Sequence, residues 1–98
     1  MSVDCIVTAM RDYEGQLTHL KVRKVRNDEA REAEAVPKAD VVEDIVSNDK
    51  TYYVACPDEE DGYVLQRKLR VFESPSGSFL RIDDEAVGED ELGDLPKF

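Results

Sequence analysis

Apolar and polar positions alternate through two β-branched-rich runs near the start of the chain, Val3 to Arg11 and Leu17 to Val25, separated by Asp12-Tyr13-Glu14-Gly15. That pattern predicts an antiparallel hairpin with Gly15 in its turn. Asn27 to Val36 is rich in Ala and Glu and almost without an apolar stripe, so it is expected to be a connection, helical by propensity or mobile. From Pro37 to Asn48 the period changes: Val42, Ile45 and Val46 share one helical face, Val41 widens it, and Asp40 with Glu43 fits a capping box. A helix of two or three turns does not persist alone, so this one requires a sheet to pack against.

Lys50 to Cys56 reads as a third strand, followed by an acidic loop from Pro57 to Gly62. Tyr63 to Glu73 reads as one long fourth strand, with Leu65, Leu69 and Val71 on one face and Gln66, Lys68 and Arg70 on the other. Ser74-Pro75-Ser76-Gly77 suits a type I turn, and a fifth strand runs from Ser78 to Asp83 with Leu80 and Ile82 opposite Phe79 and Arg81. The expected order is ββαβββ. It describes a small α+β domain, a five-stranded mainly antiparallel sheet with one helix on one face. Residues 84–98 form an acidic C-terminal segment after a core at about 3–83, within one domain covering 1–98. Val87, Leu92, Leu95 and Phe98 are spaced through its charges, which predicts that Leu92 and Leu95 dock on the domain edge and Pro96 ends the segment.

Several short motifs carry a family resemblance. They are Ile6-Val7-Thr8-Ala9-Met10-Arg11, His19-Leu20, Val42-Glu43-Asp44-Ile45, Gly77-Ser78-Phe79-Leu80-Arg81 and Asp90-Glu91-Leu92-Gly93-Asp94-Leu95-Pro96. On these residues the chain resembles an uncharacterised prokaryotic family, domain of unknown function 3892. The resemblance implies a cytoplasmic α+β domain and brings no activity, cofactor or site residue with it.

The net charge of −10 is unevenly spread. Residues 1–26 carry five bases against three acids and 63–82 four against one, whereas 27–62 carry three against twelve and 83–98 one against seven. Positive charge therefore belongs to predicted strands and negative charge to connections and tail. No apolar run is long enough to span a bilayer and no signal-peptide pattern opens the chain, so a cytoplasmic protein is expected. Cys5 and Cys56 form no Cys-x-x-Cys pair and are expected to be buried reduced thiols. Read as a calcium loop from Asp83, the tail places Val87 at a ligand position and Asp90 at the hydrophobic one, so the pattern fails and no metal or cofactor is expected.

His19 is the only histidine, and no spacing pairs it with a cysteine or an orienting acid. If Leu20, Val22, Leu65, Leu69, Val71, Leu80 and Ile82 point inward, then His19, Lys21, Arg23, Lys68, Arg70, Phe79 and Arg81 share the outer sheet face. A basic face with an aromatic suits single-stranded nucleic acid. The expected function is a non-enzymatic interaction or regulatory domain, monomeric or weakly dimeric, with a protein partner and no membrane. Nucleic acid is the alternative, disfavoured by net charge, and a small enzyme with a His/Cys site is a third reading.

Overall fold

A computed structural model describes residues 3–27, 29–57, 62–85, 88–93 and 95–98. The acidic loop at 58–61, together with Val87 and Asp94 of the tail, lies outside them. Seven strands and one helix are present among the described residues: β1 Cys5–Tyr13, β2 Gln16–Arg26, β3 Glu29–Pro37, α1 Lys38–Val46, β4 Tyr52–Pro57, β5 Tyr63–Lys68, β6 Arg70–Ser74 and β7 Gly77–Arg81. Five of the strands form a sheet ordered β3-β2-β1-β4-β5, and β6 and β7 pair as a separate hairpin. The large sheet is mixed, because β1 and β4 run parallel while its other neighbours are antiparallel.

The β1–β2 hairpin turns through Glu14 and Gly15, both at positive φ, a backbone form whose twist matches the flanking strands. Residues 29–37 are a strand, not the helical or mobile connection that their composition suggested. Asn27 takes a left-handed conformation (φ 53°) where the chain reverses, and β3 then pairs antiparallel along β2. Ladder pairing to an existing strand outweighs the helix propensity of Ala and Glu, which in isolation is worth only tenths of a kcal/mol per residue. The observed order is thus βββαββββ.

Helix α1 starts earlier than the Asp40/Glu43 capping box implied. Pro37 is its N-cap, no side chain caps it, and Asp40 instead lies in the first turn, where its charge complements the helix dipole. The buried face is also rotated from expectation. Val41 is fully buried, Val42 and Ile45 flank it, and Val46 is 51% exposed.

The long fourth strand breaks at Leu69. Leu69 is buried and its amide donates to the Tyr52 carbonyl at 2.8 Å, while the chain on either side belongs to different sheets. Gln66 is the extra residue of an irregularity in β5, so Leu65 pairs with Ala55 and stands 43% exposed instead of facing the core. The core gathers Val7, Leu20, Val22, Val41, Tyr52, Val54, Leu69 and Leu80 between the large sheet on one side and α1 with the β6–β7 hairpin on the other. Helix and hairpin together cover one face of the sheet.

The C-terminal segment closes this arrangement. β1 pairs with β4 only over Cys5–Val7, which leaves the later part of that β1 edge open. Residues 96–98 occupy it: the Met10 amide donates to the Pro96 carbonyl at 2.9 Å and the Phe98 amide to the Met10 carbonyl at 3.1 Å. Upstream, the Glu91 amide donates to the Leu80 carbonyl and the Ile82 amide to the Glu91 carbonyl, so the same segment also extends the small hairpin. Leu92 and Leu95 enter the core between these two attachments. Gly93 permits the bend at φ 72°, where a Cβ would in addition lie 3.2 Å from Ile82.

Candidate functional site

Two surfaces hold concentrations of polar side chains. The first is a cleft of about 850 Å³ on the helix side, between the β1–β2 turn, the β6–β7 hairpin and the tail. Its lysines are already engaged. The Lys38 ammonium sits 2.9 Å from Asp90 and 5.1 Å from the Phe79 ring centre, and Lys97 sits 2.6 Å from Asp12. The hydrogen bond from Lys97 holds the Asp12 carboxyl below the usual carboxylate range.

Beside the cleft, Arg81 is only 4% exposed. Its Nε and Nη2 donate to the two carboxylate oxygens of Asp83 at 2.7 and 2.8 Å, and Nη1 donates to the Glu89 carbonyl at 2.8 Å. This bidentate geometry is the stronger form of ion pair, and it holds the Asp83 carboxyl below its usual range. Arg70 donates through Nε to the Asp83 carbonyl oxygen. Both arginines therefore fasten the loop that leads into the tail.

The second surface is the face of the large sheet turned away from α1. Cross-strand register assigns its residues, because directly paired positions project to the same side. Arg11 pairs with His19, Ala9 with Lys21, and Ile6 with both Arg23 and Tyr53, while Tyr53 in turn pairs with Lys68. On the adjoining strands the corresponding positions are Ala33 and Ala35 of β3 and Tyr63 of β5. None of these described ladder positions is a carboxylate. In a chain of net charge −10 that is a sharp segregation.

The bases on this face meet rings and backbone oxygens. The Arg11 guanidinium lies 4.5 Å from the Phe98 ring centre, with Nε donating to the Phe98 carbonyl at 3.0 Å, and the Lys21 ammonium lies 6.0 Å from the same ring. Arg23 reaches across to Tyr63, 5.5 Å from its centre, and donates through Nη1 to the Arg31 carbonyl. A side chain of β2 meeting one of β5 above β1 and β4 requires the sheet to curl toward this face, which twisted sheets readily do. Ile6, in the row between Arg23 and Tyr53, is 2% exposed. The Nε of Arg23 and the Nδ1 of His19 are buried without a hydrogen-bond partner among the described residues, an arrangement that costs stability.

The seven residues expected to share one face thus divide. His19, Lys21, Arg23 and Lys68 do share it. Arg70, Phe79 and Arg81 belong to the small hairpin on the helix side, because the fourth strand breaks at Leu69 and its second half joins another sheet. Arg11, Tyr53, Tyr63 and Phe98 take their places on the outer face. Strict alternation from Tyr52, which is buried, would have placed Tyr53 there; Phe98 depends on the tail's path and had no such signal.

The described geometry does not bring His19 to a cysteine. Cys5 is buried in the core on the helix side, where burial pushes its thiol up, and Cys56 accepts a long contact from Gln66 Nε2 at 3.4 Å. Near Cys5, the Tyr52 hydroxyl donates to Asp44 Oδ2 at 2.6 Å. Burial and that carboxylate raise the phenol; burial also acts to raise Asp44, but bonds from Tyr52 and Asn48 prevail and hold it below the usual range. The group ties α1 to β4. Comparisons with protein-family models, with curated proteins and with solved structures give no match to this chain.

Proposed function

We propose that this chain is a small non-enzymatic interaction domain that holds an anionic segment of a partner on the outer face of its large sheet. The carrying observation is the absence of any carboxylate at the described ladder positions of that face, while Arg11, Lys21 and Arg23 are left with rings and carbonyls for company. Bases that lack a fixed counter-charge retain most of their attraction for an incoming anion, and screening over about 8 Å at physiological salt confines the repulsion of the acidic helix side.

Resemblance to domain of unknown function 3892 belongs to this proposal. Its two most characteristic motifs lie together here, since Leu80 and Ile82 bond to Glu91 while Leu92 and Leu95 fill the core.

Titration of the isotopically labelled full chain with inorganic polyphosphate and with hexaglutamate tests the reading. Backbone resonances of Lys21 and Arg23 should shift while those of α1 stay still, and about 0.5 M salt should reverse the effect. Silence of the outer face toward both polyanions would sink the proposal.

A further inference from the structure

We infer that the anion suited to this face is a short stretch of single-stranded nucleic acid, its bases stacked on Phe98 and the two outer tyrosines. The inference rests on the proposed anionic-segment function and adds the rings. An acidic peptide calls only for positive charge. This face offers more: Tyr53, Tyr63 and Phe98 are all partly exposed, and cationic groups lie 4.5 to 6.0 Å from the rings of Phe98 and Tyr63. Aromatic rings and guanidinium planes are the surfaces on which unpaired bases stack irrespective of sequence.

Register sets the two recognition elements side by side. Arg23, Ile6, Tyr53 and Lys68 form one cross-strand row, so two cationic side chains flank a ring across three strand spacings, roughly 14 Å, with Ile6 buried between them. Along β2, Arg23, Lys21 and His19 present a polar group at every second residue, about 6.6 Å apart. A single strand with splayed bases can place rings against the first set and phosphates against the second. A duplex cannot, because its bases are stacked on one another, and its higher charge density meets the full repulsion of a −10 protein.

The test compares four probes on the intact chain: an eight-nucleotide oligothymidylate, an abasic deoxyribose-phosphate octamer, the corresponding duplex, and hexaglutamate. The expected result is that oligothymidylate binds at least tenfold more tightly than the other three. Phe98→Leu and Tyr53→Leu should each remove most of the advantage over the abasic octamer, with thermal melts confirming that both variants fold. Lys21→Gln should instead weaken oligothymidylate and abasic octamer alike, and flatten the dependence of log K on log salt by about 0.7 for the lost phosphate contact. Equal binding of oligothymidylate and abasic octamer would overturn the stacking inference and leave the anionic face standing. Preference for hexaglutamate would overturn it in favour of an acidic protein segment, and no binding by any probe would remove both.

Discussion

Two sets of positive side chains, one on each side of the large sheet, have opposite surroundings. On the helix side Lys38, Lys97 and Arg81 are each matched to a carboxylate, and each match joins the C-terminal region to the rest of the domain or to itself. On the outer face Arg11, Lys21 and Arg23 meet Phe98, Tyr63 and backbone carbonyls. Charges of the first kind are spent on the fold. Those of the second kind remain available, and the contrast is informative because both sets belong to one acidic chain.

Substitutions that separate structural from available charge test the contrast. The largest loss is expected where the tail enters the core: Leu92→Ala removes a buried side chain held between two sheets and should cost about 2–4 kcal/mol in urea unfolding. A value near zero would mean that the tail merely lies on the surface. Next comes the Arg81–Asp83 pair. Because Asp83 titrates below the unfolded-state value of about 4, its contribution is complete above that pH and is lost as pH falls through the lower folded value. Protection of the Ile82 and Glu91 amides, taken relative to intrinsic exchange at each pH, should therefore fall below about pH 4 before that of Val22, and Asp83→Asn should abolish this pH dependence. Uniform loss of protection across the sheet would place the acid-sensitive step elsewhere. The smallest effect belongs to the outer face, where Lys21→Gln should change stability by no more than about 0.5 kcal/mol. A large loss there would show that the outer bases, too, serve the fold.

Much of the architecture is legible in the residues, and the failures have physical causes. The opening hairpin follows from alternation and Gly15, and the helix from the period at 41–45. β3 was hidden because Ala30, Ala33 and Ala35 give no apolar contrast; the positive-φ Asn27 was the available sign of a turn. Unbroken alternation through β5 points Leu65 inward, whereas the irregularity at Gln66 turns it out. Of the candidate site, the β2 residues and Lys68 were readable from period two. Arg70, Phe79 and Arg81 leave the face because the chain breaks between β5 and β6, a break that the alternation does not signal, and the aromatic half of the face depends on the register of β4 and the path of the tail.

One consequence concerns the order in which this chain can fold. β1 uses a single edge for two neighbours, β4 beside Cys5–Val7 and residues 96–98 beside Met10, and the second of these lies 87 positions away from it. Closing so long a loop has an entropic cost that local contacts do not offset, and folding slows as such distant pairings dominate. The first strand therefore stays unfinished until residues 96–98 have been made, so a polypeptide emerging in sequence holds an open sheet edge over the long stretch that separates the two partners.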